Sequence, residues 1–94
     1  MESNVKVGRR IRNLRKEKRY TREIFSELVH ISTKFLYEIE TGRKGFSART
    51  LYNISKALNV SERYICTGKE PIELNEDQTQ LAKEIMTAVS KYNI

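Results

Sequence analysis

Residues 21–42, TREIFSELVHISTKFLYEIETG, form the stretch that decides the fold. Thr21 and Ser32 are typical N-cap residues, because their hydroxyl groups can accept hydrogen bonds from the free N–H groups of a helix's first turn. Apolar residues follow each of them at helical spacing. The stretch therefore predicts two short helices, over residues 22–29 and 33–41, joined by a tight turn.

The segment before this stretch predicts another helix, over residues 5–19. Its apolar positions Val7, Ile11 and Leu14 follow the i, i+4, i+7 spacing of an amphipathic helix. Its opposite face is almost wholly basic. We expect most of these cations to be solvated or close to phosphate groups.

The segment after it predicts two more helices. Gly42 suits the left-handed conformation that ends a helix. Ser47 is the cap of a predicted fourth helix over residues 48–58, and Ser61 starts a short fifth helix that Gly68 ends. Apolar residues lie at helical spacing in both segments, and no strand pattern stands out. The fold class is therefore predicted to be all-α.

Charge divides the chain into a basic front part and an acidic tail. Residues 1–69 hold 16 Lys and Arg against 7 Asp and Glu, a balance of +9. Residues 70–94 hold 2 against 5, a balance of −3. Segregation of this kind points to a polyanionic partner for the front part. We predict a domain over residues 1–68, a linker over 69–74 and a separate helix over 75–94.

The last segment has an apolar seam. Its residues are spaced by 4, 3 and 4 positions, a heptad-like pattern about two repeats long, and they are Leu81, Ile85, Ala88 and Tyr92. A helix of this length is marginal alone, so the seam must be buried, either against its own domain or against a second copy. We favour pairing, which predicts a homodimer.

Composition argues against several other kinds of protein. Cys66 is the only cysteine, which excludes an intramolecular disulfide and a cysteine-based zinc site, and we expect it to be a small core residue. His30 is the only histidine, so neither a metal nor another cofactor is expected. No catalytic set of Ser, His, Asp or Cys is evident, so an enzyme is not expected. Cysteine usage, no membrane-spanning apolar run and no signal peptide fit a cytoplasmic protein.

Residues 10–68 resemble the helix-turn-helix domain of lambdoid phage repressors, Cro proteins and the large family of xenobiotic-response-element (XRE) regulators. The resemblance is carried by RIRNLR at 10–15, TREIFS at 21–26, ISTKFLYEIETG at 31–42 and SARTLYNISKALNVS at 47–61. The I-E-x-G ending of the third helix, followed by L-x-x-I-x-K-A-L-x-V, is specific in combination. The resemblance implies a five-helix lambda-repressor-like DNA-binding domain.

The resemblance also implies how the helices are held. Glu40 stands where the family carries an acid that pairs with an arginine of the first helix, and Arg15 matches that arginine. Ser26 stands where family members have a small residue that lets the second and third helices approach. Two positions depart from the family: His30 replaces the usual glycine of the turn, and Phe46 stands where proline is frequent.

The third helix is expected to lie in the major groove of DNA. By match to the family, Thr33, Lys34, Tyr37 and Glu38 are the candidate base contacts, with Tyr37 equally able to meet a phosphate or a sugar. Lys34 could donate to guanine, Glu38 could accept from cytosine, and Thr33 could offer a methyl group to thymine. Candidate contacts to the DNA backbone, which position the protein without reading sequence, are Arg22, Ser32, Arg43, Lys44 and Arg49. Arg43 could instead enter a narrow minor groove.

The function expected from these features is sequence-specific regulation of transcription in a bacterium or phage. A repressor is favoured over an activator because repression needs only occupancy of a site. A homodimer would bind a two-fold operator with half-sites about 34 Å apart. The alternative is a protein-interaction module of the same fold, such as an antitoxin or a partner-binding regulator. The acidic tail leaves this open, as do Ile24 and Leu28, at positions that are commonly polar in the family.

Overall fold

The structure is a computed structural model that describes residues 3–69. These residues form five helices and no strand. The helices are α1 (Asn4–Glu17), α2 (Arg22–Leu28), α3 (Thr33–Glu40), α4 (Ala48–Leu58) and α5 (Glu62–Thr67). The all-α, five-helix prediction is confirmed.

The predicted C-terminal helix over residues 75–94 lies outside the described residues. The same holds for its seam of Leu81, Ile85, Ala88 and Tyr92, and for the predicted linker after Lys69.

Every helix begins at a hydroxyl side chain. In each case the side-chain oxygen accepts a hydrogen bond from the backbone N–H three residues further on, and the caps are Ser3, Thr21, Ser32, Ser47 and Ser61. Each bond satisfies one of the N–H groups that a helix leaves without a partner in its first turn. The last four caps confirm the sequence prediction, and Ser3 adds one to it.

Every helix is followed by a residue in the left-handed conformation. These residues, with φ between 55° and 77°, are Arg19, His30, Gly42, Asn59 and Gly68. At the end of α1 the N–H of Arg19 donates to the carbonyl of Lys16 at 2.9 Å, and that of Tyr20 donates to the carbonyl of Arg15 at 3.2 Å. This pair of bonds defines a Schellman closure. It ends α1 at Glu17, so the predicted end near residue 19 was wrong by two residues.

The turn between α2 and α3 closes in the same way at His30, where φ is 61°. Its N–H donates to the carbonyl of Glu27 at 3.2 Å, and that of Ile31 donates to the carbonyl of Ser26 at 3.0 Å. Histidine thus takes the conformation that the family usually gives to glycine. Its Cβ makes this conformation costlier, by about 1–2 kcal/mol.

The core is built from apolar residues of all five helices. Its buried members are Val7, Ile11, Phe25, Val29, Leu36, Ile39, Ile54, Leu58, Val60 and Ile65. Leu28 is 47% exposed, because it lies on the same outer face of α2 as Ile24, four residues earlier. Cys66 is half-buried at the edge of the core and not within it.

A close helix crossing brings α1 against the end of α3, and Gly8 makes it possible. A Cβ atom at Gly8 would overlap the carbonyl oxygen of Ile39 and lie 2.9 Å from that of Glu40. The sequence analysis missed this residue. A glycine inside an otherwise regular helical pattern was the available signal, because it often marks a close approach.

We expect Gly8→Ala to lower the free energy of unfolding by about 1–3 kcal/mol, because the new methyl group has to push α1 away from α3. The loss should appear although alanine is the better helix former by roughly 1 kcal/mol. Chemical denaturation would measure it. Gly45→Ala is the matched control: there a Cβ atom would meet nothing closer than 3.7 Å, so stability should hardly change. Equal effects of the two substitutions would contradict the role of Gly8.

Candidate DNA-binding surface

The Glu40 carboxylate at the end of α3 holds arginines from two other helices. Arg15 of α1 donates from Nε to Oε2 at 2.7 Å and from Nη2 to Oε1 at 3.0 Å. Arg22 of α2 donates from Nε and Nη2 to Oε1, both at 3.2 Å. The structure therefore contains the Arg15–Glu40 pair that the sequence predicts. The structure adds Arg22 to this pair, whereas the sequence analysis predicted Arg22 only as a contact to the DNA backbone.

The three side chains differ in exposure. The side chain of Glu40 is 0% exposed and that of Arg15 is 6% exposed, whereas that of Arg22 is 29% exposed. Arg15 is tied further, because its Nη1 donates to the carbonyl of Tyr20 at 2.8 Å. One carboxylate and two guanidinium groups leave a net charge of +1. Because Arg22 is the most exposed of the three, this positive charge lies at the surface.

A tyrosine on the outer face of α3 lies between two cations. Tyr37 is 40% exposed. The guanidinium carbon of Arg22 is 5.3 Å from the centroid of its ring, and that of Arg43, from the loop after α3, is 5.5 Å away. Both distances fall in the range of a cation–π interaction. The structure thus brings a predicted base contact together with two predicted backbone contacts.

Two further predicted base contacts are engaged within the protein. The Thr33 hydroxyl lies 3.2 Å from that of Ser26, which also donates to the carbonyl of Glu23 at 2.9 Å. These bonds join α2 to the start of α3. Glu38 accepts from Lys44 at 3.3 Å, with the side chain of Glu38 18% exposed and that of Lys44 59% exposed. Contact of Glu38 with a base therefore requires Lys44 to shift toward the DNA.

The remaining predicted contacts are exposed. Lys34 on α3 forms no ion pair or hydrogen bond with its ammonium group among residues 3–69. Ser32 is exposed, and its hydroxyl serves as the cap of α3, 2.9 Å from the N–H of Phe35. Arg49 is exposed near the start of α4, but no hydrogen bond, ion pair or ring contact joins it to the group around Tyr37.

No other chemistry stands out in the described part of the chain. Residues 3–69 contain no group of three or more His, Cys, Asp or Glu side chains that could hold a metal ion. Burial raises the pKa of the Cys66 thiol, and the nearby Glu62 carboxylate adds to this. The thiol is therefore protonated at neutral pH and a poor nucleophile. No helix within the same residues is long and apolar enough to cross a membrane.

The arrangement defines a helix-turn-helix protein, in which α2 and the turn present α3 at the surface. Comparison with known proteins agrees: the model of a helix-turn-helix domain family matches residues 8–71. The chain belongs to this family and is a transcription regulator of the XRE type, with the fold of the Cro and cI repressors.

Individual relatives are of the same kind. The chain is 44% identical over 61 residues to YazB of Bacillus subtilis (strain 168), an uncharacterized HTH-type transcriptional regulator, and the match covers 65% of this chain and 87% of YazB. Among solved structures, the restriction-modification controller protein C.AhdI from Aeromonas hydrophila has a TM-score of 0.63 and 26% identity, covering 66% of this chain and 94% of that one.

Two other solved structures align over more of the chain. The clp gene regulator ClgR from Corynebacterium glutamicum has a TM-score of 0.65 and 25% identity, covering 96% of this chain and 92% of that one. The SinR protein/SinI protein complex has a TM-score of 0.64 and 28% identity, covering 87% of this chain and 80% of that one.

We expect Glu40→Gln to lower the free energy of unfolding by roughly 3–5 kcal/mol, because it leaves the buried Arg15 guanidinium without a counter-charge. Thermal or chemical denaturation would measure the change. Glu38→Gln is the matched control on the same helix. Its partner Lys44 is largely exposed, so the loss should stay within about 1 kcal/mol. An unchanged melting temperature for Glu40→Gln would contradict the role given to this ion pair.

Proposed function

We propose that this protein represses transcription by binding a two-fold DNA operator as a homodimer, with α3 in the major groove. The observation that carries the proposal is the division of α3 into two sides. Leu36, Ile39 and Glu40 are buried against the domain, whereas Lys34 and Tyr37 are exposed. Arg22 and Arg43 lie beside the exposed side. A helix held from behind and flanked by cations suits an anionic groove.

Within this proposal, the exposed side chains of α3 read the bases. Lys34 donates to guanine O6 and N7, and it is the strongest candidate because no group of the described residues competes for its ammonium group. Thr33 and Glu38 contribute once their internal bonds rearrange on DNA. Tyr37, between Arg22 and Arg43, is as suited to a phosphate or a sugar as to a base.

Five other residues contact the sugar–phosphate backbone in this proposal, and they are Arg22, Ser32, Arg43, Lys44 and Arg49. Such contacts fix the orientation of the protein without reading sequence. The +9 balance of residues 1–69 supports this role, because neutralising phosphates supplies much of the affinity for DNA.

Repression and dimerisation are the finer parts of the proposal. Occupancy of a site is enough to repress, whereas one helix in the groove covers too few base pairs to be selective. A second copy would supply the second half-site. We propose that Leu81, Ile85, Ala88 and Tyr92 form the contact between the two copies, on the strength of their heptad-like spacing.

We predict that selection from random DNA fragments enriches one palindromic sequence. Two variants should then distinguish side chains that read bases from side chains that bind the DNA backbone. Lys34→Ala should relax the base preference at one position of each half-site, by about 1–3 kcal/mol of discrimination. Arg43→Ala should weaken binding to all sequences alike and lower the salt slope by about one. Binding titrations at several salt concentrations would measure both. Equal effects of the two variants on base preference would contradict this division.

We predict that a chain ending at residue 74 is monomeric, because it lacks the apolar seam. Light scattering on the full-length and the shortened chain would measure this. The shortened chain should keep the helical circular dichroism of the domain, which serves as the control for folding. A shortened chain that stays dimeric would move the interface to α4 and α5.

A protein-interaction module is the second candidate, because two large apolar side chains of α2 are exposed. Ile24 and Leu28, one turn apart on α2, are 49% and 47% exposed. Leu28 also lines an open cavity of about 330 Å³ together with Tyr20 and Tyr52. SinR, a structural relative, was solved in complex with the SinI protein. Salt-sensitive enrichment of one palindrome in the selection favours the regulator, whereas no enrichment favours the interaction module.

A further inference from the structure

We infer that Tyr37 is a positioning residue that holds Arg22 and Arg43 together as a clamp on the DNA backbone. The inference rests on the proposed DNA-binding function and assigns Tyr37 a role other than reading a base. Both guanidinium carbons lie within 5.5 Å of the ring centroid, so they are no more than about 11 Å apart. Both cations can therefore face the same stretch of a negatively charged DNA strand.

Arg22 is held on two sides. Its Nε and Nη2 donate to Glu40 Oε1, both at 3.2 Å, while its guanidinium carbon lies over the Tyr37 ring. A guanidinium group carries five N–H donors. The Nη1 group of Arg22 makes no hydrogen bond to any residue of 3–69, so its donors remain for a phosphate oxygen. The group is therefore oriented before DNA arrives.

Arg43 is held by its backbone and by the ring. It follows Gly42, whose φ of 77° closes α3, and its N–H donates to the carbonyl of Glu38 at 2.9 Å. These features fix the start of the side chain. Within the described residues, the Tyr37 ring is the one group that contacts the guanidinium end. Loss of the ring would leave that end free to rotate.

The ring also offsets repulsion between the cations. Arg15 and Arg22 share the single carboxylate of Glu40, and Arg43 lies over the Tyr37 ring, so one buried carboxylate accompanies three guanidinium groups. The negative face of an aromatic ring attracts a guanidinium group, and a neutral tyrosine adds no charge that would repel phosphate. An acid at residue 37 could also hold both arginines, but it would reduce their attraction to DNA. A tyrosine orients the cations and leaves their charge available.

This arrangement decides between two roles for Tyr37. A tyrosine that reads a base needs its hydroxyl, whereas a tyrosine that positions arginines needs only its ring. Tyr37→Phe keeps the ring and Tyr37→Leu keeps comparable apolar bulk without it. Tyr37 is 40% exposed, so both variants should fold, which thermal melting would check.

The first arm of the test needs no DNA. The Nε–H signals of Arg22 and Arg43 in NMR spectra should be displaced by the ring current of Tyr37. We expect Tyr37→Leu to remove this ring-current displacement from both signals, although Arg22 keeps its Nε–H bond to Glu40, and Tyr37→Phe to leave both signals in place. Signals that do not move in Tyr37→Leu would overturn the inference, whatever the protein binds.

The second arm measures affinity for the selected palindrome and for a scrambled sequence. We expect Tyr37→Leu to weaken both by about 10-fold, because the Arg43 guanidinium must then be ordered on binding and Arg22 loses one of the two groups that hold it. Tyr37→Phe should stay within about two-fold of the original chain. Arg43→Ala should reduce the affinity for DNA by a smaller factor in the Tyr37→Leu background than in the original chain, since both changes remove the same Tyr37–Arg43 interaction.

Two results in the second arm would overturn the inference. One is a changed base preference in Tyr37→Phe, which would make Tyr37 a reader through its hydroxyl. The other is full additivity of Tyr37→Leu and Arg43→Ala. Failure of the proposed function is recognised separately, because the original chain would then enrich no sequence although the NMR displacement of the arginine signals persists.

Discussion

The Glu40 carboxylate is the constraint on which the rest of the structure depends. It lies fully buried on α3 and binds Arg15 from α1 and Arg22 from α2. A buried charge is tolerated only when it is paired. Separation of the three helices would leave a buried ion without its partner, which is strongly destabilising. Because Arg22 also reaches the surface, the group that holds the domain together also supplies one of the cations beside α3. The ion pair that stabilises the domain therefore also contributes to the positive charge of this surface.

The orientation of α3 follows from small side chains behind it. Gly8 lets α1 cross the end of α3 in direct backbone contact, and Ser26 lets α2 approach its start and bond to Thr33. The left-handed backbone at His30 closes the turn between them. These contacts are all made from one side. They leave the opposite side of α3 exposed, as the proposed reading of bases requires.

Family membership establishes the class of protein. The features that are particular to this chain are a few side chains on the exposed side of α3. Lys34 is open to solvent, Glu38 is paired with Lys44, and Tyr37 lies between two arginines. Each pairing has to be kept or exchanged when DNA binds. Under the proposed function, the base preference depends on how much free energy each exchange costs.

The sequence by itself determined where the helices lie and how most of them begin and end. Caps such as Ser32 and stops such as Gly42 act on backbone groups a few residues away, so local sequence is enough to predict them. Residues 10–68 also carried enough of the family pattern to predict the Arg15–Glu40 pair.

Only the tertiary structure decided which distant residues meet. It placed Arg22 on Glu40, Arg43 on Tyr37 and the backbone of α3 against Gly8. It also left Leu28 exposed. None of these follows from helical periodicity, because periodicity specifies the face of a helix on which a residue lies. What packs against that face depends on how the helices cross, and the crossings are set by contacts between residues far apart in the chain.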